Sequence, residues 1–489
     1  MSWNSDFEIA FDPKAIAVVG VSREPGMGFD FVVNLQQAGY KGNIYPVNPK
    51  AAGGEIDGLK AYPDLVSIPE QIDLVVVSVP SKAVPAVLED CIAANAKNIH
   101  IFTAGFRETG EEKGIELEER IREIAKRGQL RVVGPNCMGL HVPASHVSAW
   151  GGVHGAGSGP VGFISQSGGH AGRLVRDSAQ LNIGLSKVIS FGNATVMNDL
   201  DFLEYLANDP QTKIICMYLE GTKNGNTLTN MVREVNRTKP VIIWKGGLTE
   251  WGARAVSSHT GSLAGEMQTW DAFYKQTGAV RVDSVEELAE MAMTFLYLSP
   301  DAGRRVALMG AGGGNSVAGA DVCAREGLEL PVLNDATLHE LRKIIPADGT
   351  FIRNPLDIGI VMWDINLLLQ AIEPVAGDNG IESLLFSLFL GVSPRYRREL
   401  ADEALRQMSE ERSMMAARCL IEFANGNNHH KPLITVLQEG VVGRRPGLME
   451  RVQRELLQGG VPAYLSLQRA SRCLGKFLDY HDFQRGGRS

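Results

Sequence analysis

Residues 257–265 read SSHTGSLAG, a histidine set among hydroxyls and glycines in a chain of 489 residues that has only 10 histidines. A lone histidine on a helix or strand face is ordinarily a satisfied core or surface residue. A loop of small residues instead predicts an exposed, movable ring, and a neutral ring nitrogen can attack phosphorus near pH 7. His259 is therefore a candidate phosphoryl acceptor. It needs a partner that fixes its tautomer and stabilises the charged adduct. A carboxylate at a strand end would serve, and MYLEG supplies Glu220, which could equally be a solvated strand-terminal acid.

The phosphate needs a cradle of its own. FISQSGGHAGRL reads as a strand, then Ser-x-Ser-Gly-Gly, then a helix. Open amides and the positive dipole end at a helix N-terminus suit an anion, so Ser167, Gly168 and Gly169 form a candidate phosphate site; an ordinary serine N-cap is the competing reading. SFGNAT adds Gly192 at a second strand end.

Earlier in the chain, GVSREPGMG follows an apolar run and puts Gly20 and Ser22 beside a ligand, but its glycines do not have the G-x-G-x-x-G spacing. The next strand ends in VNPK, where a nicotinamide enzyme places an acid for the ribose. Asn48, Pro49 and Lys50 suit a ligand with an extra phosphate near its ribose, NADP or coenzyme A, and a plain turn with an exposed lysine is the alternative. Three later strand ends add small residues or an asparagine: Val79 and Pro80 in VSVPSKAV, Thr103 and Ala104 in TAGFRETG, and Asn136 in GPNCMGL.

The elements that must position these residues follow a regular alternation. AIAVVGV, NIYPV, IDLVVVSV, NIHIFTA and LRVVG are strand candidates separated by helical patterns. In EEKGIELEERIREIAKRG, Ile115, Ile121, Ile124 and Ala125 fall at helical spacing, with Gly128 where a C-cap belongs. Strand and helix in alternation predict a doubly wound parallel sheet, which binds ligands at the carboxyl ends of its strands. GPVGFIS, GLSKVISF, KIICMYLEG and PVIIWKG repeat the pattern beyond a glycine-rich bridge at WGGVHGAGSGP, and RRVALMGAGGGNS, ESLLFSLFL and KPLITVLQEG repeat it again. The expected domains are residues 1–148, 149–302 and 303–489.

Composition narrows the function. Lys and Arg number 48 against 56 Asp and Glu, a net charge of −8 with the signs mixed, so no basic stripe points to nucleic acid. The longest apolar runs fall short of the roughly 18 residues a bilayer requires. The N-terminal stretch lacks the basic region of a signal peptide, which predicts a cytoplasmic protein. The 6 cysteines are scattered without C-x-x-C, arguing against a disulfide framework or a zinc site.

The strand-end loops of the first domain together resemble the coenzyme A-binding domain of the succinyl-CoA synthetase α subunit. Tyr-Leu-Glu-Gly followed some forty residues later by Ser-His-Thr-Gly-Ser-Leu-Ala-Gly looks like the signature of the NDP-forming acetyl-CoA synthetase α subunit. The resemblance covers nearly the whole chain, more loosely after about Val361, and departs at GMG, where relatives often carry a lysine or arginine. It implies a Rossmann-like domain followed by two flavodoxin-like domains, an α/β protein throughout. It implies that His259 is transiently phosphorylated and held by Glu220, that the third domain helps present the phosphohistidine, and that coenzyme A and phosphate bind this chain. No G-x-x-x-x-G-K-[ST] and no lysine-bearing ATP-grasp segment is present. ADP or ATP with Mg is therefore expected on a separate ATP-grasp β subunit, in an α2β2-type assembly. The rivals are a non-catalytic acyl-CoA sensor, an acyl or carbamoyl transferase working through an acyl phosphate, and an NADP oxidoreductase.

Overall fold

A computed structural model of the chain describes residues 7–24, 26–149, 157–260, 266–310, 312–346, 351–357, 364–393, 396, 401–440 and 442–486, with the side chains of residues 257–260, 365 and 368 outside that set. The β-branched runs near the start form strands β1 (Ala15–Val19) and β2 (Asn43–Val47), a short antiparallel hairpin β3 (Glu55–Ile56) and β4 (Leu59–Lys60), then β5 (Leu74–Val77), β6 (Asn98–Ile101) and β7 (Arg131–Val133). The sheet is parallel, in the order β2-β1-β5-β6-β7. Val75, Val77, Ile99, Ile101 and Val132 are buried, as expected of a sheet covered on both faces. The chain leaves β1 toward one edge and returns to its other side at β5, so the crevice at the carboxyl ends of β1 and β5 is the topological switch point.

The second sheet contains β8 (Gly139–Val142), β9 (Val147–Ser148), β10 (Ser158–Ser165), β11 (Leu185–Ser190), β12 (Ile214–Leu219), β13 (Val241–Lys245) and β14 (Val280–Val282). Its order, β14-β13-β12-β10-β11-β8-β9, repeats the first sheet's and puts a second switch point between β10 and β12. The hairpin β8–β9 corrects the sequence reading, which took GPNCMGL only as a loop of the first domain: Leu140 and His141 pair antiparallel with Ile189 and Val188 of β11. Leu140, Val142 and Val147 are buried there, so the hairpin closes an apolar edge. The third sheet, β15 (Val306–Met309), β16 (Ser383–Leu390), β17 (Leu433–Glu439) and β18 (Ala463–Tyr464), is parallel in that order and has its own core around Leu384, Phe386, Leu388 and Leu437. Compactness divides the chain into two units, Met1–Ala179 with Ile183–Ala289, and Gln180–Asn182 with Glu290–Ser489. The first two sheets thus belong to one unit.

Two local readings change. The helix Glu112–Gly128 buries Ile121, Ile124 and Ala125, but the left-handed cap residue is Gln129, at φ 53°, and Gly128 is still helical. Gly128 is small for packing: a Cβ there would meet Ile92 at 2.5 Å. His259 lies in the last turn of the helix Glu250–Thr260 rather than in a loop, since Ala253, Arg254 and Ala255 ahead of it are good helix formers.

Two histidines are buried, His100 on β6 and His141 on β8. His100 Nε2 donates to the Cys137 carbonyl at 3.1 Å, and Gly139 leaves room for its ring; His141 Nδ1 lies 3.1 Å from Ser148 Oγ. Burial pushes both down to about 4. Only the unfolded chain then binds a proton between pH 6.5 and 4, so stability is lost as pH falls through that window, about 2 kcal/mol per histidine by pH 5. Asp199, which burial pushes up to about 6, works in the opposite sense and offsets part of it. Urea unfolding of the full chain is expected to show a net loss of about 2–3 kcal/mol between pH 7 and pH 5, reduced in His100→Gln. Equal stability at the two pH values would contradict it.

Candidate functional site

The first switch point is built from close backbone approaches. Gly20 follows β1 at φ 97°, and a Cβ there would lie 2.2 Å from the Ser78 carbonyl oxygen. Asn48 ties the ends of β1 and β2 together: its Nδ2 donates to the Val21 carbonyl at 2.7 Å while its Oδ1 accepts from Lys50 N at 3.0 Å. Lys50 and Pro49 are exposed on the turn that follows, and Ser22 is exposed with its hydroxyl on the Glu24 carbonyl. Thr103 Oγ1 donates to the Val79 carbonyl at 2.7 Å, and Asn136 N donates to the Thr103 carbonyl at 2.9 Å. Pro80 and Ala104 are exposed beside them. The residues proposed from sequence for a nucleotide-bearing ligand therefore share one rim. Sequence reasoning missed Arg23, whose guanidinium lies where a Cβ on Gly54 would be, 2.3 Å away, and which adds a second cation to this rim.

Asn136 also begins the second half of the site. Its Nδ2 donates to Asn193 Oδ1 at 3.3 Å, Asn193 N donates to the Pro135 carbonyl at 3.0 Å, and Thr195 N to the Gly134 carbonyl at 3.1 Å. Gly192, at φ 54°, is pressed against this partner loop: a Cβ would lie 2.2 Å from the Pro135 oxygen. Asn193 Nδ2 in turn donates to Glu108 Oε2 at 2.6 Å, and Glu108 Oε1 accepts the Gly105 amide at 2.6 Å. The loops after β6, β7 and β11 are thus one hydrogen-bonded assembly. Ser167 caps the helix Gly168–Gln180, its Oγ accepting from His170 N at 3.3 Å, and a Cβ on Gly168 would meet Met138 Cγ at 2.6 Å. Gly169 is exposed, with nothing nearer its Cβ position than 3.8 Å. First-turn amides lack intrahelical partners, so this end fits an anion.

Glu220 stands at the second switch point and is 5% exposed. Gln166, one residue before Ser167, reaches across from the end of β10 and accepts the Glu220 amide, and the Gly221 amide at 3.0 Å. The Tyr218 hydroxyl donates to Glu220 Oε1 at 3.2 Å, and burial with the adjoining carboxylate holds that hydroxyl above its ordinary pKa. The ring of His170 packs against Tyr218 at 4.6 Å and Trp244 at 4.5 Å between centroids. Burial lowers the His170 pKa, opposed by the charges of Glu220 and Glu286. Beyond Gly221 and Thr222 a cavity of about 620 Å³ opens, walled by Trp270, Phe273 and Leu228. The His259 side chain and residues 261–265 lie outside the described residues, so the pairing of His259 with Glu220 remains a sequence-based expectation. Gln166 and His170, both inside the quoted FISQSGGHAGRL, were not singled out by the sequence reading.

No group of three or more His, Cys, Asp or Glu among the described residues is arranged to hold a metal ion, and no described helix is long and apolar enough to cross a membrane.

Comparison with known proteins fits this geometry. Residues 14–143 match the family described as a CoA binding domain, and residues 158–295 match the succinyl-CoA ligase like flavodoxin domain. The α subunit of acetate–CoA ligase [ADP-forming] I of Pyrococcus furiosus is 33% identical over 470 residues, 96% of each chain. Acetate–CoA ligase [ADP-forming] I of Archaeoglobus fulgidus is 37% identical over 352 residues, and the match spans 72% of this chain and 50% of that protein. The solved structure of a dinucleotide forming acetyl-coenzyme A synthetase 1 of Ca. Korarchaeum cryptofilum, in complex with phosphate and ADP, superposes with a TM-score of 0.82 over 98% of each chain at 29% identity. Matched at 33% identity over 96% of its length, the chain belongs to the family of ADP-forming acetate–CoA ligase α subunits.

Proposed function

We propose that the chain is the α subunit of an ADP-forming acyl-CoA synthetase that works through an acyl phosphate and a phosphohistidine. The observation that carries the reading is the pair of hydrogen bonds that the Glu220 and Gly221 amides donate to Gln166 Oε1, which joins the phosphate-type helix end to the segment carrying the buried carboxylate. Coenzyme A would sit on the rim of Gly20, Ser22, Asn48, Pro49, Lys50, Val79, Pro80, Thr103, Ala104 and Asn136, with its phosphates toward Lys50 and Arg23. Inorganic phosphate would sit at Ser167, Gly168, Gly169 and Gly192.

A phosphate oxygen attacks the thioester carbon, the C–S bond breaks, and coenzyme A leaves as a thiol. His259 then attacks phosphorus of the acyl phosphate, the N–P bond forms as the P–O bond breaks, and the carboxylate departs with the bonding electron pair. Glu220 keeps a negative charge close to the cationic ring, so the phosphohistidine is stabilised once formed. ADP finally takes the phosphoryl group as the P–N bond breaks. Chemistry of this kind depends mainly on positioning and charge, which the interlocked loops supply.

Nucleotide with Mg would be held by an ATP-grasp β subunit, in an α2β2-type assembly. The A. fulgidus relative is twice the length matched here, with room for a further domain on the same chain. The purified chain is expected to acquire an acid-labile phosphoryl group from acyl-CoA and phosphate, and to make ATP from ADP only after a β subunit is added. ATP formation by the isolated chain would contradict the division of labour.

A further inference from the structure

Lys245 ends β13 and is 4% exposed, a degree of burial that ionised lysines almost never reach unless paired. Strand register sets it opposite Leu219, the residue before Glu220. Its ammonium donates to the Glu220 carbonyl at 2.8 Å and to the Gly246 carbonyl, and lies 5.2 Å from the centre of the Trp270 ring. Two strand-end carbonyls could be capped by a neutral amide without the several kcal/mol that burying an ion costs. What an ammonium adds is charge, and the charged group acting on it is Glu220. Both groups are withdrawn from water, so their opposite charges interact more strongly than they would in bulk solvent.

We propose that Lys245 is a positioning residue for Glu220: its ammonium clamps the Glu220 backbone and offsets the carboxylate's charge, so that the anion stays in place to receive the phosphohistidine. The role rests on the phosphohistidine reading above and deepens it. Lys245 is not placed in contact with substrate. It acts through the residue it holds.

The geometry has a pH signature. Burial pushes the Lys245 pKa down to about 8, opposed by the charge of Glu220. The groups around it are Glu220 and Tyr218 from β12, Trp244 beside it on β13, Trp270 from the helix Met267–Thr277, and, on the far side of Tyr218 and Trp244, His170 with Glu286 in electrostatic reach. Burial holds the Tyr218 hydroxyl above and the His170 ring below its ordinary range, which moves both away from the Lys245 range. Above about pH 8 the clamp loses its proton, and phosphoenzyme formation should fall.

The test is the rate of phosphoenzyme formation from acetyl-CoA and inorganic phosphate between pH 6 and 10, in wild type, Lys245→Arg and Lys245→Met, each checked by thermal unfolding. Wild type is expected to show an alkaline limb near pH 8. Lys245→Arg, whose guanidinium stays charged, should move that limb up by more than one pH unit, and Lys245→Met should lose it and drop at least 10-fold at pH 7. Should Lys245→Met fail to fold, the limb of Lys245→Arg decides. A limb unmoved in Lys245→Arg, or a wild-type rate and profile in folded Lys245→Met, overturns the role. A wild type that never carries phosphate overturns the relay itself, which is a different result from active wild type with unaffected variants.

Discussion

Glu220→Gln is expected to slow phosphoenzyme formation about 10²-fold or more in a chain that still folds, at a lowered thermal midpoint because the buried Lys245 ammonium loses its opposing charge. Glutamine has the shape of glutamate, so the Tyr218 hydroxyl can still donate to its side-chain oxygen, and the backbone contacts from Gln166 and Lys245 do not involve the side chain. Only the negative charge is removed. In the proposed relay that charge acts on the imidazolium as phosphorus is transferred, a kind of preorganised electrostatic contribution worth about 10²–10³ in rate. Because the loss belongs to the phosphoryl step, binding of coenzyme A should be unchanged. Rapid-quench measurement of the phosphoryl adduct, with calorimetric coenzyme A binding beside it, separates the two. Wild-type phosphorylation kinetics in Glu220→Gln would remove the carboxylate from the mechanism.

Gly192→Val should be as damaging for a different reason. Position 192 has φ 54°, a region that costs a non-glycine residue roughly 1–2 kcal/mol and a β-branched one more. A Cβ would also lie 2.2 Å from the Pro135 oxygen and 2.4 Å from the Asn136 oxygen, so the loop must move. That movement pulls on the Asn193–Pro135 and Thr195–Gly134 hydrogen bonds, which hold the loop after β11 against the one after β7. A misplacement of about 1 Å in such a site can cost 10²-fold. Phosphoenzyme formation is expected to fall by at least that factor, and weaker coenzyme A binding should accompany it, because Asn136 serves both loops. Normal activity in Gly192→Val would mean that the contact between these loops does not position the phosphate.

Much of this site was legible before the fold. β-branched runs ending in glycine or asparagine marked the carboxyl ends of β1, β2, β6, β10, β11 and β12, and the switch-point rule says that ligands gather at such ends. What stayed hidden depends on partners distant in the chain. β8 and β9 are too short, and carry too few β-branched residues, to announce strands; only the exposed edge of β11 makes them one. Gln129 adopts the left-handed cap that Gly128 suggested, because Gly128 is needed against Ile92. PVIIWKG marked a strand but gave Lys245 no role, since the Trp270 ring beside its ammonium comes from the helix Met267–Thr277, some twenty residues later. Gln166 lay inside the quoted FISQSGGHAGRL, yet its role appears only when β12 brings the Glu220 amide to it. The histidine signature was explicit in composition and spacing, although helix propensity carries its backbone into the end of Glu250–Thr260.

The central claim is that this chain stores a phosphoryl group on His259. Intact-mass and peptide-level analysis after incubation with acetyl-CoA or a short panel of acyl-CoAs, plus phosphate and without nucleotide, tests it most directly. The account predicts one acid-labile phosphoryl adduct, located on the peptide carrying His259, absent from His259→Ala and retained in His170→Ala. An adduct that survives in His259→Ala, or none with any acyl group despite measurable coenzyme A binding, would contradict the relay and favour an acyl-CoA sensor or a transferase that never phosphorylates its histidine.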